Sequence, residues 1–257
     1  MESLSHQLEI VSQFTRQSRP FAEMAVHSES RSFEVFRELG SFSGKEKVLD
    51  SGCGPGLVSL YLAEFVGQIS GVDLTPAMVN LAAETASKSG IANASFVQGD
   101  MTSLPFATGH FDVAVSRYTF HHLEHHREAF AEMIRVTRPG GKVIVVDVNP
   151  EAIKRKAYDR FERLRDPSHT SALTFEELIH LGEKHDLKTP QVIQFGLEVD
   201  VQHLIASSFP EKVSREDLIQ LLAEDLKSNK LSFNVKNEMG SLTMTFPVTA
   251  AGWRLSS

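Results

Sequence analysis

Asp50-Ser51-Gly52-Cys53-Gly54-Pro55-Gly56 is the stretch on which the fold turns. It follows the apolar pair Val48-Leu49 and precedes the helix-like Leu57-Val58-Ser59-Leu60. A strand, a glycine-rich turn and a helix in that order bring backbone close to a ligand, where side chains would block the approach. The spacing is G-x-G-x-G. Dinucleotide folds use G-x-G-x-x-G to seat a pyrophosphate on the helix N-terminus, so this loop points to a ligand without phosphates.

Working outward, Lys47 to Val148 alternates short β-branched apolar runs with helix-like stretches, the pattern of parallel strands joined by helical crossovers. This predicts an α/β, doubly wound sheet. Strands are expected at 47–50, 68–73, 94–98, 111–116 and 142–147, with helices at 57–65, 76–89 and 127–136. The helices rest on spacing: Met78, Leu81, Ala82 and Thr85 share one face, as do Phe130, Met133 and Ile134. Ser89-Gly90 and Pro139-Gly140-Gly141 supply residues that stop a helix and turn the chain. After Pro150 come a basic helix, the turn Arg165-Asp166-Pro167-Ser168-His169, a helix over 175–185 and a strand over 191–199. Helices at 201–207 and 215–227 and a final alternating strand over 240–248 complete the reading. With no linker between them, residues 1–257 read as a single domain: an N-terminal helical flap at 1–44, a cofactor-binding core at 45–150, and a cover with the final strands at 151–257.

Asp73 ends the second strand, Gly71-Val72-Asp73, about 20 residues past the loop, where a carboxylate accepts from both hydroxyls of a ribose. Asp100 ends the third, where it can accept from the amino group of an adenine. Met78 and Met101 are polarizable enough to pack on such a ring. Alone, Asp100 would read as a turn cap and the methionines as core; the loop shifts the balance toward a nucleoside.

Composition narrows the classes. The 257 residues are 41% hydrophobic and 23% charged, a globular balance that suits one large α/β domain. No apolar run approaches the roughly 20 residues of a membrane span and the N-terminus lacks a signal pattern, so a cytoplasmic protein is expected. One cysteine excludes an internal disulfide, a cysteine zinc cluster and the three-cysteine iron–sulfur motif of radical enzymes. A net charge of −7 opposes a phosphate backbone. The richest basic segment, Lys154-Arg155-Lys156 with Arg160, Arg163 and Arg165, is interleaved with Asp159, Glu162 and Asp166 and reads as a solvated helix face.

The loop, Gly71-Val72-Asp73, Gly99-Asp100, Leu104-Pro105-Phe106, Phe111-Asp112 and the run from Arg135 to Gly141 stand in the order and spacing of a known family. They resemble the class I S-adenosylmethionine-dependent methyltransferases, in particular the UbiE-like family, over about residues 40–150. Ser116-Arg117-Tyr118 before His121-His122, and the turn at 165–169, resemble an uncharacterised bacterial branch of it. The resemblance implies a Rossmann-like, mostly parallel seven-stranded sheet with an antiparallel last strand. It also implies the loop on the methionine part of S-adenosylmethionine, Asp73 on the ribose and Asp100 near the adenine. Cofactor contacts are accordingly expected from Asp50, Ser51, Gly52, Cys53, Gly54 and Gly56, from Asp73 and Leu74, and from Met78, Gly99, Asp100 and Met101. Ser116 and, in the flap, Phe21 join them. Ser51 departs from the usual apolar residue and Pro55 from the usual threonine, and Ser51 is a candidate polar contact. Partners expected are a small-molecule methyl acceptor and a second copy of the chain, with no nucleic acid and no membrane span.

Methyl transfer from a sulfonium is an in-line displacement, so a base is needed only if the acceptor must first lose a proton. His121 and His122 follow the fourth strand at the carboxyl edge of the sheet, and His169 lies in the cover; these are the catalytic candidates. The competing reading makes them cap or packing residues. Arg117 and Tyr118 are candidates for the substrate, as a grip on an acidic group and a wall for an aromatic one. No helical histidine pair with a carboxylate suggests a metal. The alternative to transfer is a cofactor-binding cyclase or ligand-gated binder, motivated by Ser51 and by the want of a compelling base. No Asn/Asp-Pro-Pro-Tyr-like segment of nucleic-acid methylation follows the fourth strand.

Overall fold

The structure, a computed structural model, describes residues 3–28, 30–185 and 187–257, with residues 19–28 described in backbone only. Strands β1 (Lys47–Ser51), β2 (Gln68–Asp73), β3 (Ala94–Gln98), β4 (Phe111–Arg117) and β5 (Thr137–Val148) are parallel neighbours. β6 (Gln191–Asp200) and β8 (Ser241–Arg254) complete one sheet in the order β3-β2-β1-β4-β5-β8-β6. β8 runs antiparallel to both of its neighbours, β5 and β6. The seven expected strands are all there. An eighth, β7 (Lys236–Glu238), pairs with the start of β8 and went unpredicted because its three residues are all exposed and carry no alternation.

The central strands read as continuous apolar runs because both faces are covered. On one face, Val48, Val113, Val115, Ile144 and Val146 pack with Val35, Phe36 and Leu39 of α2 (Ser30–Gly40) and with α3 (Leu57–Leu62). On the other, Leu49, Ala114, Val143 and Val145 meet Phe130 and Met133 of α5 (His126–Val136) and Trp253 of β8. Side-chain alternation along each strand divides the two cores. Phe130 and Met133 are buried as the spacing predicts, and the helix runs on to bury Val136 rather than Ile134. In α4 (Pro76–Lys88) the buried row is Met78, Ala82 and Ala86, and Thr85 lies beside it.

Two expectations change. Pro139-Gly140-Gly141 is not a turn between elements. It lies inside β5, where the register against β4 shifts between Phe111 and Val113 and Gly140 takes φ +72°. A Cβ on Gly141 would lie 2.6 Å from the Asp112 carbonyl, so the bulge needs glycine to stay in the sheet. The expected helix over 175–185 breaks into α7 (Phe175–Ile179), opened by a Thr174/Glu177 capping box, and a separate short turn at Glu183–His185.

The cover is built from α1 (Leu4–Ser28), α6 (Arg155–Arg165), α8 (Val201–Ala206) and α9 (Arg215–Asp225). No helix among the described residues is long and apolar enough to cross a membrane.

Candidate functional site

At the carboxyl edge of the sheet two cavities lie side by side. The first, about 880 Å³, is bounded by the glycine loop, the ends of β2 and β4, and α1. The second, about 850 Å³, lies between α1, α6, β6 and α8. Phe14, Tyr118 and His122 line both, so the two cavities adjoin at these side chains.

The three glycines serve three purposes. Gly52 (φ +72°) runs against Thr119, whose Oγ1 would lie 2.7 Å from an added Cβ. Gly54 (φ +52°) has nothing within 4 Å of an added Cβ, so it leaves room for a ligand at the cavity wall. Gly56 is off the wall; its missing Cβ lets the loop pack on Ala82 and Phe96. Gly52, Cys53, Gly54 and Asp50 line the first cavity, as do Asp73, Leu74, Met78, Gly99, Asp100 and Met101. Ser51 and Ser116 do not. Both are fully buried, and their hydroxyls find no hydrogen-bond partner in the structure. They face the α5 side of the sheet with Leu49 and Ala114, because alternate strand residues point to opposite faces. The side chain of Phe21 lies outside the described residues.

The carboxylates are held in different ways. Asp50 is buried and accepts from the Ser59 hydroxyl at 2.7 Å. Burial raises its pKa to about 6, moderated by the Ser59 bond and by the charge of Arg117. Asp73 accepts from the backbone N–H of Gly54 and of Thr75, each at 2.8 Å, so it fixes the loop and the start of α4 as well as facing the cavity. Burial nonetheless pushes its pKa up. Asp100 accepts from the backbone and hydroxyl of Thr102 on one oxygen and from Gln7 of α1 at 3.0 Å on the other. Burial and the charges of Asp73 and Asp50 push the Cys53 thiol well up, which makes it a poor nucleophile.

The second cavity has an apolar wall that includes Val148, Leu197, Val199 and Phe246, and a polar floor from α6 and the turn after it. His121 and His122 stand on that floor with ring centroids 4.2 Å apart. His121 Nδ1 is 2.6 Å from Asp147 Oδ1. Burial alone would depress its pKa, but the charge and hydrogen bond of Asp147, with Glu162 and Asp166, raise it. His122 is the opposite case. Burial and the neighbouring His121 imidazole, against the pull of Asp166, hold its pKa well down and keep it neutral. Its Nδ1 is 3.2 Å from the Ser168 carbonyl, which can only accept. The Nδ1–H tautomer therefore leaves the lone pair on Nε2. Ser168 is itself anchored, its hydroxyl donating to Asp166 at 2.6 Å. The two adjacent histidines thus have pKa values pushed in opposite directions.

His169 is on the wall of neither cavity. It lies behind His121, ring centroids 5.5 Å apart, with Nε2 2.8 Å from Asp159. Arg117 is on the first cavity's wall and not the second's; Tyr118 is on both. Among the described residues no group of three or more histidine, cysteine or acidic side chains could hold a metal ion.

Residues the sequence reading passed over are Asp147, Tyr158, Ser168 and the inward side of α6. That helix is not simply a solvated face: Asp159 and Glu162 are buried, and Glu162 and Arg165 pair on the cavity floor, while Lys156, Arg160 and Arg163 are exposed. The signal was a stripe at helical spacing, Tyr158, Phe161, Glu162 and Arg165, with two charges where apolar residues are usual.

The comparisons agree with this geometry. A methyltransferase domain family matches residues 49–145. An uncharacterized methyltransferase, YcgJ of Bacillus subtilis, is 30% identical over 188 residues, covering 72% of this chain and 74% of that protein. The crystal structure of YcgJ superposes with a TM-score of 0.78 at 25% identity, covering 88% of this chain and 98% of that one. The ubiquinone/menaquinone biosynthesis C-methyltransferase UbiE of Pseudomonas paraeruginosa is 30% identical over 130 residues, 48% of this chain and 51% of that protein, so the chain spans about half the length of that relative. With its glycine loop, strand-end carboxylates and sheet order, the chain belongs to the class I S-adenosylmethionine-dependent methyltransferases, in the UbiE-like family.

Proposed function

We propose that the chain binds S-adenosylmethionine along the first cavity and transfers its methyl group to oxygen, nitrogen or carbon of a small molecule, aromatic ones included, held in the second. The observation that carries this reading is the shared boundary: His122, neutral and with its tautomer set by Ser168, lines both cavities. The fit of the cofactor to the first cavity rests on the open space at Gly54, the carboxylates Asp50, Asp73 and Asp100, and the apolar surfaces of Met78 and Met101. Bound there, the cofactor supplies a methyl group on a positively charged sulfur that is already a good leaving group. The protein's own contribution is alignment, worth roughly 7–11 kcal/mol when reacting atoms are well oriented.

In this reading Asp73 takes the ribose hydroxyls on the lone pairs left by its two backbone bonds, and Asp100 the adenine amino group, sharing the oxygen that Gln7 uses. His122 Nε2 takes a proton from an acceptor that must lose one. His121, whose pKa Asp147 raises, disfavours a charge on its neighbour and offers a donor to the second cavity. His169 and Asp159 brace these rings from behind. Residues 1–257 act as one domain, because α1 and α6 supply walls that the sheet lacks.

Both motives for the cyclase or binder alternative are weaker now: Ser51 is off the cavity wall, and His122 supplies the missing base. Calorimetric titration with S-adenosylmethionine and S-adenosylhomocysteine, then a metabolite screen read by S-adenosylhomocysteine release, tests the proposal. Saturable binding and turnover with a small molecule are expected. Absence of any heat of binding would remove the cofactor assignment, and binding without turnover across broad metabolite pools would favour the alternative.

A further inference from the structure

Charge reaches the second cavity from one side only. Among the described residues, α6 and the turn after it supply Glu162, Arg165 and Asp166, and the segment after β4 supplies His121 and His122; α1, β6, α8 and β8 face the cavity with uncharged side chains. Asp147 stands behind His121, 2.6 Å from its Nδ1. The carboxylates Asp147, Glu162 and Asp166 therefore outnumber Arg165 and His121 even when His121 carries a proton. The field on the floor has the same sign: burial opposes a charge on His121, yet Asp147, Glu162 and Asp166 raise its pKa.

These acids are not answered equally. Glu162 accepts from Arg165 on both of its oxygens, and Asp147 has His121. Asp166, 4% exposed and on the cavity wall, has no salt-bridge partner among the described residues. Its Oδ1 accepts from the Ser168 backbone at 3.0 Å and from the Ser168 hydroxyl at 2.6 Å, bonds that favour the charged form. Its Oδ2 has the Gln17 amide alone, at 3.4 Å. A carboxylate this deep is costly without a cation beside it. The rings of Phe14, Tyr118, Tyr158 and Phe246 line the same cavity, and aromatic faces attract cations.

We propose that the methyl acceptor is an amine, held as its ammonium in the second cavity with Asp166 as the counter-charge that selects it, an assignment that rests on the methyl-transfer reading above. An alkylamine is protonated near neutral pH and cannot attack until it gives up a proton. His122 is placed to take it: Nδ1–H is held by the Ser168 carbonyl, and Nε2 has no hydrogen-bond partner among the described residues. The ammonium passes one proton to Nε2. The nitrogen lone pair so freed forms the N–C bond as the C–S bond breaks, and the C–S pair returns to sulfur. A methylated ammonium and S-adenosylhomocysteine result, and His122 releases its proton to solvent. A phenol or a carboxylic acid would reach the same step as an anion set against Glu162 and Asp166.

Matched amines, phenols and carboxylates, beginning with benzylamine, para-cresol and benzoate, provide the test. Binding is read by calorimetry with S-adenosylhomocysteine present, and transfer by mass spectrometry of the methylated product. Amines should bind about tenfold or more tightly than the other classes, as fits a charge-assisted hydrogen bond, and yield N-methyl products. In Asp166→Asn that preference should fall to about twofold with the cofactor Kd unchanged, and Asp166→Glu should recover part of it. Tighter binding of phenols or carboxylates, a product methylated on oxygen or carbon, or an amine preference that survives in Asp166→Asn overturns the assignment and leaves methyl transfer standing. Should Asp166→Asn not fold, the wild-type ranking of the three classes decides alone. A chain that binds S-adenosylhomocysteine but no amine likewise overturns the assignment; one that binds neither S-adenosylmethionine nor S-adenosylhomocysteine overturns the methyl-transfer reading, and the amine with it.

Discussion

The two cavities differ in how they are made. The first takes most of its chemistry from short contiguous segments at the ends of adjacent parallel strands: the loop at the end of β1, Asp73 at the end of β2, Asp100 after β3 and Arg117 at the end of β4. The second takes Gln17 from α1, Glu162 and Arg165 from α6, Leu197 from β6, Leu204 from α8 and Phe246 from β8. Strand order alone carries the first set together, because parallel strands share one carboxyl edge. The second exists only once helices far apart in sequence have packed over that edge. In the proposed reading, a donor site built from the sheet and an acceptor site built from the cover can vary independently, which suits a fold used for many substrates.

If the division holds, substitutions should separate into those that alter cofactor affinity and those that alter turnover or acceptor affinity. The largest effect is expected where the two cavities adjoin. His122→Gln should lower kcat by about 10²–10⁴-fold for an acceptor that must lose a proton, while cofactor affinity measured by calorimetry changes little. A variant that keeps its kcat removes the base role. Next, Asp73→Asn should weaken cofactor binding by more than about tenfold, since one of its two backbone hydrogen bonds and a ribose contact are lost together. An unchanged Kd would leave Asp73 as a loop anchor only.

A pH titration should sharpen the contrast. If Asp50 contacts the positively charged cofactor as a carboxylate, its pKa near 6 means that cofactor affinity should fall as pH drops through about 6 and level off above it. His122, held neutral, should place the acid limb of kcat below the ordinary histidine range. An affinity flat from neutrality to well below this pKa would count against Asp50. The smallest effect should come from Gln17→Ala. Gln17 is buried on the second cavity's wall, 3.4 Å from Asp166, and its loss should raise the acceptor KM a few-fold with the cofactor Kd unchanged. A matching rise in cofactor Kd would blur the two sites into one.

Legibility followed the same boundary. The strand-end residues Asp50, Asp73 and Asp100 could be read because each follows a recognisable apolar run, and the structure puts all of them on one cavity wall. Within the loop, however, spacing could not tell ligand-facing positions from packing ones. Ser51 and Gly56 sit among residues that line the cavity, yet one faces the α5 layer and the other packs on α4 and β3. The histidine motif was visible, but not its division of labour: whether an imidazole is charged depends on Asp147, Ser168 and Asp166, which lie 26, 46 and 44 residues from their ring partners along the chain. The inward charges of α6 were misread because alternating acids and bases look the same on a solvated face and on a cavity floor.

What the sequence by itself determined is the sheet, its cofactor edge and the family. These rest on local periodicity and on glycines whose backbone needs are written in adjacent residues. Only the tertiary structure decided which histidine is neutral, which face of α6 turns inward, and that Arg117 stands with Asp50 instead of in the second cavity. Those properties depend on burial and on the fields of distant charges, and both arise only when non-adjacent elements pack.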